Sequence, residues 1–460
     1  MLTDTIAAIS TPLGEGGIGI VRISGKDAFL ILQKIFSPKN PKNWHKVDSH
    51  TIHLGNIVDD SGNIVDEVLV SIMKEPKTFT AENVVEINCH GGLIPLRKTL
   101  ELVLNAGARL AEPGEFSKRA FLNGRIDLTQ AEAIIDVIRA KTDSGLKMAL
   151  SQLKGHLWEK VHNLRHEILG LMARIEVSID FPEEDLEEIT LSEIRDKASV
   201  MKEEIETLIK TADQGKFIRE GINTVIIGRA NVGKSSLLNA LLKENRAIVT
   251  DIPGTTRDTI EEFINIGGFP LKIIDTAGIR ETKNIVEKIG VEKTRKIMEI
   301  ADLILFVIDA SIGLTEEDIE LLNRLKEKRV LVLINKIDLI NKRKFEHDFE
   351  VVLDKTPYLF ISAKENIGID QLEKMIGEII FEGRIKVSTD NIIINMRHKE
   401  KLMKAAKHLN DVLISQNLGM SIDFYSIDLR ASWEALGEII GENTGEDLLD
   451  RIFSDFCIGK

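Results

Sequence analysis

Residues Gly228-Arg229-Ala230-Asn231-Val232-Gly233-Lys234-Ser235 fit G-x-x-x-x-G-K-[ST], the spacing of a phosphate-binding P-loop. In such a loop the glycines let backbone N–H groups turn inward around a polyphosphate at a helix N-terminus, and Lys234 reaches the terminal phosphates. The Ser235 hydroxyl suits Mg²⁺, and Ser236 continues the first helical turn. Asp275-Thr276-Ala277-Gly278 reads D-x-x-G. Asp275 can hold the Mg²⁺ shell through water, and the Gly278 amide can sense a γ-phosphate. Between these segments lies Thr250-Asp251-Ile252-Pro253-Gly254-Thr255-Thr256. A threonine hydroxyl there completes Mg²⁺ coordination only when the γ-phosphate is present, which makes the loop a switch. Asn335-Lys336-Ile337-Asp338 reads N-K-x-D. A carboxylate only accepts, and guanine offers two donors on its edge where adenine offers an acceptor and one amine, so Asp338 selects guanine. Ser362-Ala363-Lys364 can then contact the base through backbone amides. Together these residue types and spacings are those expected of a site that binds and hydrolyses GTP.

Each segment must stand at the end of a strand. Thr224–Ile227, Leu271–Ile274, Leu331–Ile334 and Phe360-Ile361 are short apolar runs directly before the four motifs, as in a parallel α/β sheet with its ligand at the strands' C-terminal edge. Gly14-Glu15-Gly16-Gly17-Ile18-Gly19 also satisfies G-x-G-x-x-G. A dinucleotide fingerprint opens a helix, whereas this one runs into Ile20-Val21-Arg22-Ile23, a strand, so it reads as a shaping turn.

The catalyst of hydrolysis is less plain. Many GTPases carry a water-orienting glutamine after D-x-x-G, and here Ile279 follows Gly278. Another group must act. Arg257, Arg280, Glu281 and Glu287 are nearby in sequence. Asn231 offers a neutral oxygen beside the phosphates and could help hold a monovalent cation, supplying the charge that an arginine finger brings elsewhere. A simple turn role for Asn231 stands equally open.

The 460 residues are enough for two or three domains. Residues 1–118 carry glycine-separated β-branched runs and read as an N-terminal α+β domain. Residues 119–215 turn helical, with a capping box at Thr129-Gln130-Ala131-Glu132 and a helical run on to Ile179. The acidic run Glu183–Glu188 reads as a solvated helix start. Residues 216–382 alternate strand and helix as an inserted Ras-like G domain, and 383–460 are helical again. The two helical stretches are expected to pack together as one discontinuous domain. The net charge of −13 argues against a protein that grips nucleic acid alone, so RNA contact should be local or shared. Two cysteines with no zinc spacing point to a reducing cytoplasm. No membrane span or signal peptide is expected.

The whole chain resembles the MnmE (TrmE) family of tRNA-modification GTPases. The likeness rests on the motifs above, on Thr250–Asp258, on Glu287-Lys288-Ile289-Gly290, on Pro113–Arg125, and most specifically on Arg451–Lys460. It implies an N-terminal folate-binding and dimerising domain, a split helical domain and an inserted G domain. It implies a homodimer that joins an MnmG-like flavoprotein as a heterotetramer. That assembly adds an aminomethyl or carboxymethylaminomethyl group to C5 of the wobble uridine of certain tRNAs. A tetrahydrofolate derivative, 5-formyl or 5,10-methylene, would donate the one-carbon unit. The resemblance further implies K⁺-dependent hydrolysis on G-domain dimerisation, with Asn231, Thr250, Ile252 and Thr255 around K⁺ and Ser235 and Thr256 on Mg²⁺. Glu287 would be the catalytic glutamate that positions water. Folate contacts fall on Arg22, Glu86, Arg125 and Lys460, and Cys457 would stand near the one-carbon chemistry. Cys89-His90 has the look of a reactive pair, but Gly91-Gly92 beside it favours a structural turn. The competing reading is a GTP-dependent switch for RNA-particle assembly without chemistry of its own. Such proteins usually append a basic RNA-binding module, which this acidic helical end does not resemble.

Overall fold

The computed structural model describes residues 4–41, 46–180, 191–245, 262–274, 300–325, 328–340, 353, 356–381, 395–442 and 444–460. It forms a multidomain α+β and α/β protein in two compact units. One comprises residues 1–135, 153–202 and 404–460, the other residues 136–152 and 203–403.

The first unit is built on β1 (Ile6–Ile9), β2 (Gly16–Ser24), β3 (Phe36–Pro38), β4 (Thr51–Val58), β5 (Ile64–Met73), β6 (Val84–Gly91) and β7 (Arg109–Leu110), with helices α1 (Ala28–Ile35), α2 (Leu93–Asn105) and α3 (Glu115–Leu122). The strands lie in the order β3-β4-β5-β6-β2-β1-β7. Alternation sorts their side chains by face. Val68, Val70 and Ile72 of β5 and Val85, Ile87 and Cys89 of β6 join Ile31, Leu96 and Val103 of the helices in one core. The opposite face carries Arg22 of β2 directly across from Glu86 of β6. Gly19 needs its hydrogen, because a Cβ there would sit 2.5 Å from Leu96 Cδ1. The glycine-rich segment thus enters a strand and lets α2 approach, which agrees with the non-Rossmann reading.

Helices α4 (Leu128–Arg139), α5 (Asp143–Leu153), α6 (His156–Asp180) and α7 (Leu191–Glu220) follow. The helical run to Ile179 comprises three helices, interrupted at 140–142 and again before His156, where Gly155 adopts φ +92°. The capping box expected at Thr129 is also displaced. Asp127 Oδ1 accepts from the backbone N–H of Thr129 at 2.7 Å and of Gln130 at 3.1 Å, so Asp127 caps α4 and Thr129 lies inside it.

The second unit holds β8 (Ile222–Ile227), α8 (Lys234–Asn245), β9 (Glu262–Ile266), β10 (Phe269–Ile273), β11 (Leu303–Asp309), α9 (Glu316–Arg324), β12 (Val330–Asn335), β13 (Tyr358–Phe360) and α10 (Ile369–Phe381). The sheet order is β13-β12-β11-β8-β10-β9, parallel except for the β9–β10 hairpin. Strands β11 and β12 are buried at every position, as expected where helices cover both faces.

The chain ends in α11 (Met396–Asn417), α12 (Ile422–Ile440) and α13 (Glu446–Ser454). In the first unit α12 packs on α6. Arg165 lies over the Trp433 ring, 4.0 Å from its centroid, and pairs with Glu442 at 2.6 Å. None of the described helices is long and apolar enough to cross a membrane.

Candidate functional site

The nucleotide candidates meet at the C-terminal edge of the second unit's sheet. The loop Gly228–Gly233 leaves β8 and enters α8 at Lys234. Its shape is imposed by three left-handed residues: Gly228 at φ +148°, Asn231 at φ +63° and Gly233 at φ +102°. A Cβ on Gly233 would lie 2.2 Å from Asn335 Nδ2, so glycine there admits the N-K-x-D strand end. Lys234 Nζ folds over the loop and donates to the carbonyls of Gly228 at 2.8 Å and Arg229 at 2.6 Å. Burial pushes its pKa down. Ser235 and Ser236 occupy the first turn of α8, and Val232 is buried beneath the loop.

Asn335 ties the site together. Its Nδ2 donates to Val232 O at 2.8 Å, and its Oδ1 accepts from Ala363 N at 3.0 Å. The P-loop, the end of β12 and the Ser362–Lys364 turn are therefore one hydrogen-bonded body. Lys336, at φ +67°, donates to Asn231 O and to Asp309 Oδ2, both at 2.6 Å. Burial acts to raise the Asp309 pKa, but hydrogen bonds from Lys336 and Ser311 outweigh it and hold the group low. Asp338 is exposed, and its Oδ1 accepts from Ser362 Oγ at 2.6 Å. That contact aims the carboxylate while its second oxygen can face a base. Lys364 pairs with Glu365 at 3.2 Å on the surface. Sequence reasoning missed Asp309 and the Arg229–Asp318 contact at 3.1 Å. The signal for Asp309 was present: β11 is an apolar strand ending in a carboxylate beside the P-loop strand.

Thr250, Asp251, Ile252, Pro253, Gly254, Thr255, Thr256, Asp275, Thr276, Ala277, Gly278 and Glu287 lie outside the described residues, as do Arg257, Ile279, Arg280, Glu281 and the Glu183–Glu188 run. Strand β10 ends at Ile273, two positions before Asp275.

A second constellation forms in the first unit. Arg22 Nε and Nη2 both reach Glu86 Oε1 at 2.8 Å, a cross-strand pair between β2 and β6. Arg22 Nη1 also donates to the carbonyl of Gly459 at 3.0 Å, 437 positions away. The Arg22 guanidinium lies 5.6 Å from the Phe116 ring centroid and 5.9 Å from that of Phe79. Arg125 approaches the same Phe79, 5.3 Å from its ring centroid, and donates to Phe79 O at 3.2 Å. Arg22 thus joins Glu86, the Phe79 and Phe116 rings and the Gly459 carbonyl of the Cys457–Lys460 segment, and Arg125 meets the same Phe79. Cys457 is exposed, and Lys460 is half-buried. No local pattern marked Phe79 or Ser10, whose hydroxyl also reaches Gly459.

Beneath this cluster Arg119 is 1% exposed and joins Asp4, Glu82 and Glu115. Glu115 is buried too, which alone would raise its pKa. Hydrogen bonds from Arg109, the Glu112 amide and Arg119 instead hold it below the ordinary carboxylate range. The Pro113–Arg125 segment therefore carries a structural ion network as well as Arg125. Cys89 points into the core, and burial pushes its thiol pKa up to about 11. His90, one strand position on, is exposed and bonded to Asp66 at 2.6 Å. Cys89 and His90 face apart, so they form no reactive pair.

Residues 5–125 match the family model described as GTP-binding protein TrmE N-terminus, and residues 128–457 match the MnmE helical domain. The chain is 55% identical over 461 residues to the "tRNA modification GTPase MnmE" of Desulforamulus reducens, covering 100% of both chains. It is 52% identical over 459 residues to the protein of the same name from Clostridioides difficile, again covering 100% of both. Among solved structures, a variant of Era from Aquifex aeolicus bound to GDP·AlF₄⁻ is 32% identical, with a TM-score of 0.28, covering 40% of this chain and 66% of that one. Taken with the two constellations, the full-length identity places the chain by descent: it belongs to the MnmE (TrmE) family.

Proposed function

We propose that this chain is a GTP-hydrolysing enzyme of tRNA wobble-uridine modification. It uses a tetrahydrofolate-bound one-carbon unit and acts with an MnmG-like flavoprotein on C5 of the base. The observation that carries this reading is the meeting of the Arg22–Glu86 pair with the Cys457–Lys460 segment at Gly459. A pterin presents a guanine-like donor edge that Glu86 can accept from, and Arg125 and Lys460 supply cations for an anionic glutamate tail. Cys457, exposed beside them, takes the acid–base or nucleophilic role.

In the second unit GTP lies along the P-loop with its base at Asp338 and the Ser362–Lys364 turn. Ser235 and Thr256 would hold Mg²⁺ through the hard oxygen ligands it prefers. Asn231, Thr250, Ile252 and Thr255 would hold K⁺ through oxygen. The Asn231 carbonyl already accepts from Lys336, so its exposed side-chain amide oxygen is the fitting donor. A bound cation of this kind would supply charge that Ile279 cannot, and Glu287 would orient water. The domains assigned to these roles are 1–118 for folate binding and dimerisation, 119–215 with 383–460 for the helical part, and 216–382 for the G domain. A homodimer is supported by the outward face of the first unit's sheet, where Ile52, Leu54 and Leu69 are exposed and Leu54 faces Leu69 across β4 and β5.

Equilibrium binding of 5-formyltetrahydrofolate to the full chain tests the reading. Saturable binding that Glu86→Gln weakens agrees with it. Absence of binding removes the folate part. GTP turnover in KCl against NaCl tests the cation part in the same way, and equal rates remove it.

A further inference from the structure

The segment that carries Cys457 is pinned on both sides. Upstream, Phe456 is buried with Phe453, Leu449, Leu128 and Ala131. Gly114, at φ +67°, packs so closely there that a Cβ would lie 2.6 Å from Phe453 O. The Gly114 amide donates to Cys457 O at 3.4 Å. Downstream, Gly459 is buried at φ +90°, and a Cβ on it would lie 2.4 Å from Ile9 O and 2.8 Å from Ser10 Cα. Its carbonyl accepts from Ser10 Oγ and from Arg22 Nη1, each at 3.0 Å. Cys457 and Ile458 are exposed between these two anchors.

We infer that Ser10 is a positioning residue that fixes Cys457 beside the Arg22–Glu86 pair through the Gly459 carbonyl. The role of Cys457 itself rests on the proposed function above; the anchoring by Ser10 does not. The two donors to Gly459 are not equivalent. Arg22 also serves Glu86 and lies 5.9 Å from the Phe79 ring centroid, so an anionic or pterin-bearing ligand at the proposed folate site would compete for it. Ser10 stands at the end of β1, its own amide bonded to Ile20 O at 2.8 Å, and has no such second task. The anchor therefore keeps its Ser10 half when Arg22 turns to a ligand. Glycine at 459 is what allows the chain to press against β1 closely enough for both bonds to form.

Hydrogen exchange of the full chain, followed by mass spectrometry, reads this anchor in the peptides covering Gly114 and residues 454–460. Ser10→Ala is expected to speed exchange there roughly fivefold, the effect of losing one ordinary hydrogen bond on local opening. Gly459→Ala, which disturbs the same contact by a different route, is expected to do at least as much. Ser10→Thr, which keeps the hydroxyl, restores the parent rate, and peptides from β4 and β5 exchange as in the parent. Parent-like exchange in both Ser10→Ala and Gly459→Ala overturns the inference. A second readout separates positioning from mere docking: kcat for uridine modification falls when the Phe456–Lys460 segment, a strap between its two anchors, is loosened, while KM for GTP does not move. An undiminished kcat with a loosened strap overturns the positioning role. Adding 5-formyltetrahydrofolate separates this inference from the one it builds on. If the ligand leaves exchange unaltered in the parent while Ser10→Ala still loosens the strap, the folate reading fails and the anchor stands.

Discussion

Replacing Asn335 by alanine should cost the chain most of its hold on guanine nucleotides. The side chain is 2% exposed and makes two bonds, to Val232 O at 2.8 Å and from Ala363 N at 3.0 Å. Truncation orphans both backbone groups. A buried polar group left without its partner costs about 1–3 kcal/mol, so two cost about 2–6 kcal/mol. Asn231 at the loop apex is exposed, and water entering from that side re-solvates part of the loss. The lower part of the range, about 2–3 kcal/mol, then falls on the binding-competent arrangement of loop and turn. That corresponds to a Kd for GDP raised about 30- to 150-fold. Asn335→Asp should be no milder, because it sets a carboxylate oxygen against the Val232 carbonyl while keeping the acceptor for Ala363. Fluorescence titration with a labelled GDP, alongside circular dichroism to confirm folding, measures both. A Kd within threefold of the parent for Asn335→Ala would refute the view that this amide fuses P-loop and base turn into one body.

Asp338→Asn replaces an acceptor by a donor at the guanine edge, so preference should move from GTP toward XTP; competition binding with unchanged GTP affinity contradicts the base-reading role. Arg119→Met should destabilise the first unit by about 3–5 kcal/mol, because it leaves buried Glu115 short of a partner, and urea unfolding followed in that unit by hydrogen exchange measures it. The pH dependence has a definite sign. Glu115 and Asp4 are both held below their ordinary pKa when folded, burial opposing and the arginines prevailing. Their stabilisation is complete above the unfolded carboxylate range near pH 4 and is lost as pH falls through the lower folded values. The parent should therefore weaken on acidification below about pH 4, and Arg119→Met should show a shallower slope.

Among the described residues, the placing of the candidate nucleotide motifs at one sheet edge was legible because each motif is local. A P-loop, N-K-x-D and S-A-K each occupy a few consecutive residues after an apolar run, and parallel strands bring such ends to one edge. Asp338 and Lys234 stand where that logic puts them. What joins the parts was not legible: nothing in the run Leu331–Asp338 says that the Asn335 amide spans from Val232 to Ala363, since that depends on sheet order. The first unit shows the same limit more sharply. Arg22 and Glu86 are opposed only because β2 pairs with β6 rather than with β3, and alternation alone cannot choose a partner strand. Ser10 acquires its role from a chain segment 449 positions distant. The α4 cap was misread because Asp127 and Thr129 are both good capping residues, and Asp127 reaches two amides. Cys89 and His90 look reactive as neighbours in sequence, but consecutive strand positions face opposite ways.

In the proposed function, GTP hydrolysis in the second unit serves uridine chemistry where the Arg22–Glu86 pair meets the Cys457–Lys460 segment. Nucleoside mass spectrometry tests it most directly. Unmodified tRNA is incubated with the full chain, an MnmG-like flavoprotein, GTP and the reduced folate, and the wobble uridine is analysed for a C5 adduct. The expected result is an adduct that forms with GTP, fails with a non-hydrolysable analogue, and is lost in Cys457→Ser. An adduct of undiminished yield in Cys457→Ser, or one that forms without GTP hydrolysis, would contradict it.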